Sequence, residues 1–399
     1  MEKTCEIRGF MRKDGRKGIR NKVLILYTVS CAAPTARGIR ACFEKHDDID
    51  VLGSEGCRTN DLMRKKLVGF AVHPNVGAVL VVQNGCEEAD GAEIVKAAVA
   101  SGRLAERILI QEYGSRRATE AGRLIVSHFL QELKHTPTTP VDLSELVFGI
   151  ECGGSDFTSG LAANRLVGEF TDYITGRGGT VIFEEMYEAM GLKSLLTGRC
   201  ASHKARQQIA AAYDKFYRHA VETDQFSISP GNIRGGLTTI EEKSMGAVAK
   251  IGTAPIEGVL KIAQQPAHPG LWYLDCMADS EENCGFSVSN DASSTLMFLL
   301  SGAHMTLLTT GRGHVISNPV GPVIKLTGNP DTYERLKEDI DFNAGVLLTG
   351  EKSGPEVLED FLKLIMETAG GKRCRGEKNG HSEGVLNYEV QFQSGDTNS

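Results

Sequence analysis

Continuous apolar runs that break off at glycine-bearing polar turns most narrow what this chain can fold into. Residues 23–29 form one run, ending at Ser30-Cys31-Ala32-Ala33-Pro34. Residues 78–82 form another, ending at Gln83-Asn84-Gly85-Cys86. A third, 146–150, ends at Glu151-Cys152-Gly153-Gly154, and a shorter one at 49–52 precedes Glu55-Gly56-Cys57. Helical stretches at 60–68, 90–100 and 118–133 lie between them. A strand covered on both faces reads as an unbroken Val/Ile/Leu run, and such strands alternating with helices build parallel, doubly wound sheets.

The pattern stops at Lys134-His135-Thr136-Pro137-Thr138-Thr139-Pro140 and then restarts. With 399 residues the chain is long for one core, so two domains are expected. The predicted fold class is α/β, with two doubly wound, mainly parallel-sheet domains. A flavodoxin- or Rossmann-like domain spans 1–134, and a linker spans 135–144. An α/β catalytic domain spans 145–370, followed by a polar tail at 371–399.

The net charge of −7 argues against a nucleic-acid partner, which favours a basic surface. No apolar run approaches the length of a transmembrane helix, and residues 1–14 are polar, so no membrane association and a cytoplasmic location are expected. Ten cysteines in a reducing compartment read as thiols or metal ligands. Cys5, Cys42, Cys200 and Cys374 read as small buried hydrophobes.

The carboxyl ends of strands are where open α/β sheets bind ligands. Cys57, Cys86 and Cys152 sit there, each beside glycine, and are the expected metal ligands. Soft thiolates suit iron or zinc better than magnesium. Cys152-Gly153-Gly154-Ser155-Asp156-Phe157-Thr158-Ser159 is a strand-to-helix turn rich in hydroxyls. Ser155, Asp156, Thr158 and Ser159 are candidates for binding an anionic group at a helix start. A helix cap is the plain alternative for Asp156. Ser229-Pro230-Gly231-Asn232-Ile233-Arg234-Gly235-Gly236 precedes a helix opened by a capping box of Thr238 with Glu241, or Thr239 with Glu242. It supplies Asn232 and Arg234 as substrate contacts, and the helix supplies Lys243 as a catalytic candidate. Thr309-Thr310-Gly311-Arg312-Gly313-His314 ends another strand. Thr310 reads as a substrate contact, Arg312 as a carboxylate clamp, and His314 as a general base. The basic string at 12–21 is read either as attracting an acidic substrate or partner, or as a solvated loop. A GxGxxG dinucleotide fingerprint is absent.

Together, the string at 9–21, His73-Pro74-Asn75 leading to Gly85-Cys86-Glu87, Cys152-Gly153-Gly154-Ser155-Asp156, the stretch 229–246 and Thr309–Gly313 resemble the altronate/galactarate dehydratase family. The resemblance covers nearly the whole chain in order. It implies a metal-dependent lyase that removes water from a sugar acid, activated by Fe2+, alternatively by Mn2+ or an iron–sulfur cluster. The large subunit of (2R)-sulfolactate sulfo-lyase is similar and eliminates sulfite instead. The family's dehydratases carry a small N-terminal β-rich domain that is not evident here. The resemblance therefore implies a stand-alone large subunit with a separately encoded small, SAF-like β-rich partner, in an oligomer. It also implies a small hydroxy acid as substrate. The family's lysine after the asparagine of the Pro-Gly-Asn loop is replaced by Ile233, with Arg234 next, which points to a different substrate.

Overall fold

Alternate residues of the strand Lys22–Tyr27 feed two separate apolar layers, as a two-residue period requires. Val23, Ile25 and Tyr27 pack with Ala36, Ile39, Val126 and Phe129 on one side. Leu24 and Leu26 pack with Met63, Leu67, Phe70 and Ile94 on the other. The computed structural model describes residues 7–44, 46–224, 226–277, 290–382 and 384–386. Its first sheet has four parallel strands in the order Ile49–Gly53, Lys22–Tyr27, Val76–Gln83, Leu104–Leu109. Helices Ala33–Ala41 and Ser115–Glu132 cover one face, and Asp61–Ala71 and Gly91–Ala100 the other. This is the expected doubly wound α/β arrangement.

The second sheet has seven parallel strands. Their order is Ile256–Lys261, Gly270–Asp275, Thr180–Phe183, Val147–Cys152, Met305–Thr310, Val323–Thr327, Phe342–Asn343. Helices Asn164–Thr175, His203–Thr223 and Gly354–Ala369 cover one face through Phe170, Phe216 and Phe361. Helix Asp291–Leu300 covers the other, and its Phe298, Leu299 and Leu300 join the layer that contains Met63 and Phe70. The two sheets therefore share one sandwiched helix layer. The approach is close: a Cβ on Gly69 would lie 2.8 Å from Leu300 Cδ2.

Three departures from the sequence reading concern the joints. The segment expected as a linker contains strand Thr138–Pro140, which pairs antiparallel with Arg8–Met11, itself paired with Lys17–Gly18. Two- to four-residue strands of polar sequence carry no apolar run to reveal them. Part of the basic string is a buried clasp, through Arg12 and Arg20, while Lys13 and Arg16 lie in an exposed turn, as in the solvated-loop reading. Arg12 donates to Pro74 O, Asn21 Oδ1 and Arg20 O, and Arg20 forms a bidentate pair with Glu377 at 2.7 and 2.8 Å. The stretch after Gly370, expected as a polar tail, is packed as far as it is described. Arg373 pairs with Asp48, Arg375 N donates to Asp341, and Leu386 bridges Ser54 beside the edge strand Ile49–Gly53.

Candidate active site

The chain leaves the central strand Val147–Cys152 towards Thr180–Phe183 on one side, and returns later to Met305–Thr310 on the other. A crevice opens at such a reversal of strand order. Here the loops leaving Cys152 and Thr310 are stitched together. Gly153 N donates to Thr309 O at 2.9 Å, and Gly311 N and Arg312 N both donate to Gly154 O, at 3.2 and 2.9 Å. The structure thus brings the Ser155–Ser159 turn and Arg312–His314 to one place.

His314 lies against this junction. Its Nε2 stands 2.8 Å from Asp291 Oδ2, while its Nδ1 accepts the backbone N–H of Ile316 at 3.2 Å. The ring proton therefore sits on Nε2, facing the carboxylate. Asp291 is in the first turn of a helix capped by Asn290, where the helix dipole favours negative charge. Gly153 makes the pair possible: a Cβ there would come within 2.3 Å of Asp291 Oδ2 and 2.6 Å of His314 Cδ2.

Several expected ligand contacts also hold the loops in shape. Asp156 Oδ1 accepts from Thr158 N and Thr158 Oγ1, Asp156 Oδ2 accepts from Asn329, and Ser159 Oγ accepts from Asp156 N. That is the helix cap offered as the plain alternative. Asn232 closes a capping box with Ser229 in the short helix Pro230–Arg234 and donates to Ser155 O at 3.0 Å, tying this helix over the turn. Glycines of that helix leave room for Arg312, since a Cβ on Gly231 would lie 2.4 Å from its Nη1. Thr310 Oγ1 accepts from Gly313 N. Lys243 is buried, donating to Ser227 O at 2.5 Å with Glu188 at 3.6 Å, so its ammonium is committed. The helix that bears it starts at Ile240, and Thr239 is its cap, receiving Glu242 N at 3.2 Å. Arg234 and Arg312 are exposed. A groove of about 410 Å³ runs beside this region, lined by Ser155, Asp156, Phe157, Ser159, Asn164 and Lys243 among others.

Beneath the junction lies a buried polar cluster whose Glu184, Glu185 and Lys250 the sequence reading did not single out. Cys152 Sγ donates to Glu185 Oε1 at 2.6 Å, and Glu185 pairs with Lys250. Glu184 accepts from Ser294 Oγ at 2.6 Å and follows the strand that pairs with the one bearing Glu151. Burial pushes the Glu184 carboxyl up to about 7 against the Ser294 bond, and nearby Glu188 adds to the rise. Burial and the neighbouring Glu184 hold Glu151 well above the usual carboxylate range. Glu184-Glu185 directly follows the apolar run 180–183, so the strand-end rule that singled out Cys152 would have found them.

The three expected metal ligands are not gathered. Cys57 and Cys86 are exposed in loops that leave the four-stranded sheet, whereas Cys152 is buried against Glu185 on the seven-stranded one. Cys86 Sγ accepts from Asn84 Nδ2, and the turn around it wraps the Glu87 carboxylate, which receives the N–H groups of Asn84, Gly85 and Cys86 and the Thr28 hydroxyl. Among the described residues no three His, Cys, Asp or Glu side chains stand in an arrangement that could hold a metal ion. The thiol set therefore does not fit an iron or manganese centre or an iron–sulfur cluster. Of the cysteines read as small buried hydrophobes, Cys374 is buried, Cys200 half-buried and Cys42 exposed, while Cys5 lies outside the described residues.

Comparison with known proteins bears on what this junction is for. The second domain of D-galactarate dehydratase/altronate hydrolase matches residues 9–134, and the C-terminal domain of D-galactarate/altronate dehydratase matches 143–391. The chain is 34% identical to (2R)-sulfolactate sulfo-lyase subunit beta of Chromohalobacter salexigens, over 95% of this chain and 96% of that one. It is 32% identical to altronate dehydratase of Escherichia coli, over 98% of this chain and 78% of that one. It is 31% identical to galactarate dehydratase (L-threo-forming) of Escherichia coli, over 76% of this chain and 58% of that one. The chain belongs to the D-galactarate/altronate dehydratase family and is an enzyme of the lyase class.

Proposed function

We propose that this lyase dehydrates a sugar acid of the 2,3-dihydroxy type to a 2-keto-3-deoxy acid, at the junction of the Cys152 and Thr310 loops. The observation that carries the reading is the His314–Asp291 pair beside the exposed guanidinium of Arg312, in a chain of this family. Arg312 would clamp the carboxylate of the substrate. That carboxylate's neighbouring C2 proton is weakly acidic, because charge builds next to an existing anion as it leaves. A guanidinium placed against the growing enediolate lowers that cost. The Asp291 carboxylate, held by the His314 Nε2–H, takes the C2 proton, the C3–O bond breaks, and that proton passes to the departing hydroxide, which leaves as water. The enol that remains ketonises, so atoms balance as acid to keto acid plus water. No step is routed through a metal, because the thiol set does not fit one.

A second reading has its own support. The chain is 34% identical to a sulfo-lyase subunit beta over 95% of its residues. In that reading the C3 group leaves as sulfite, and the word "subunit" in the relative's name supports a partner chain, which we propose is small and β-rich. The same acid clamp and C2 base serve both reactions.

The purified protein, with and without a co-expressed small chain encoded beside it, should be given altronate, galactarate and (2R)-sulfolactate in turn. Keto acid released without sulfite supports the dehydratase. Keto acid with equimolar sulfite supports the sulfo-lyase and contradicts the dehydratase. No keto acid from any of the three contradicts both.

A further inference from the structure

Arg312 has a fixed backbone and an unclaimed head. Its backbone N–H is bound to Gly154 O at 2.9 Å, yet among the described residues its guanidinium meets no carboxylate, carbonyl or aromatic ring. What lies beside it is one face of the short helix Pro230–Arg234. A Cβ on Gly235 would lie 3.1 Å from Arg312 Cδ, and a Cβ on Gly231 would lie 2.4 Å from Nη1 and 3.6 Å from Cζ. Residues four apart share a helix face. The Arg312 side chain therefore runs along that face, with its stem at Gly235 and its head at Gly231.

The backbone does not call for these two glycines. Neither has a positive φ, so other residues could adopt both conformations. Alanine is also the better helix former. Space explains them, because any side chain at either position would occupy the path of Arg312. The helix is itself held in place. Pro230 sets its first turn, and Ser229 and Asn232 close its capping box. Asn232 Nδ2 donates to Ser155 O at 3.0 Å, and Gly235 O accepts Phe157 N at 3.3 Å.

We propose that Gly231 and Gly235 are positioning residues, a rail that aims the Arg312 guanidinium before the acid arrives. The inference rests on the lyase reading above, in which Arg312 clamps the carboxylate of the substrate. An arginine that wanders loses its rotamer freedom when it grips a carboxylate, whereas one already lodged has little left to lose. Glycine brings no side-chain acceptor, so the fork keeps its N–H groups for the ligand.

Two readouts separate the rail from the reading it rests on. The first is steady-state kinetics on whichever acid the protein turns over. Gly231→Ala should lower kcat/KM about tenfold, the size of one hydrogen bond to a charged group, with KM raised more than kcat is lowered. Its thermal midpoint should match or exceed that of the wild type, since only the head of a flexible side chain stands in the way of the methyl. Arg312→Lys has no Nη1, so adding Gly231→Ala to it should cost less than about twofold. Equal losses in the two backgrounds, or none in the wild-type background, overturn the proposal. Wild-type kcat/KM in Arg312→Ala sinks the clamp itself. The second readout needs no turnover. Phenylglyoxal modifies accessible guanidinium groups, and peptide mass mapping follows Arg312. The lodged head of the wild type should react several-fold more slowly than the displaced head of Gly231→Ala. Equal rates overturn the rail even in an active enzyme. A slower wild-type rate in a protein that makes no keto acid upholds the rail and sinks the lyase reading instead.

Discussion

His314 Nε2 lies 2.8 Å from Asp291 Oδ2, across a gap that stays open only because residue 153 has no side chain. The three residues come from a strand end, a helix start and a second strand end, so one methyl group at the first would part the other two. Gly153→Ala should cut kcat at least about 100-fold, as misplacement by about 1 Å can. A methyl that forces its neighbours aside in a tight site costs about 1–3 kcal/mol of stability. Steady-state kinetics beside a thermal melt will check this. An alanine variant with wild-type kcat would show that the pair is not used.

The thiols supply the opposite expectation. Cys57 and Cys86 are exposed and stand apart from Cys152, so Cys57→Ala and Cys86→Ala should keep activity within about twofold. Cys152→Ala should be worse, because it strands Glu185 without its thiol partner. Metal content measured alongside activity decides the matter. Loss of both in Cys57→Ala or Cys86→Ala would restore the thiols as ligands and contradict the arrangement described here.

The clasp between the N-terminal string and the C-terminal segment should dominate stability. Arg20 and Glu377 are both buried, and Arg20 also donates to Ile19 O and Thr368 O. Although burial opposes it, the Arg20 bonds draw the Glu377 carboxyl down to about 2. Removing one partner of such a pair leaves a bare buried charge, so Glu377→Ala should cost about 3–5 kcal/mol in urea unfolding. A loss below about 1 kcal/mol would contradict the burial of this pair.

Acid should weaken the fold through two histidines at the joint between the sheets. His304 donates from Nε2 to Lys17 O and accepts Val147 N at Nδ1, and His73 is held in the same way by Ala303 O and Asn75 N. Burial pushes His304 down to about 4 and His73 well below its ordinary value. Both pKa values are depressed on folding, so the unfolded chain binds protons first. The stability that neutral His304 represents is complete above about pH 6.5 and is lost as pH falls from there to about 4, on the order of 3 kcal/mol. Urea midpoints from pH 4.5 to 7.5 will test this. His304→Gln should flatten the acid side, and an unchanged slope would contradict it.

How much of this could be read in advance depended on burial. The strands 22–27, 76–83 and 147–152 are covered on both faces, so their apolar runs declare themselves. Ile256–Lys261 is buried only at alternate positions, and the hairpin of Arg8–Met11 is short and polar, so neither stood out. The loops at Cys152 and Thr310 were legible because strand ends carry ligand groups in such sheets. Asp291 was not, since nothing local ties it to His314, 23 residues later in sequence. The cysteines misled for a related reason. Their positions at strand ends of two different sheets were visible, but whether those ends meet is decided by how the sheets pack, which sequence does not record.

The most direct test of the central claim is one assay of keto-acid release, run on the wild type and His314→Asn side by side across altronate, galactarate and (2R)-sulfolactate. The wild type should turn over at least one of them. The variant, equally folded by circular dichroism, should be at least about 100-fold slower, the scale expected when a general base loses the partner that positions it. Equal rates, or no keto acid from the wild type, would contradict a hydroxy-acid lyase working at this junction.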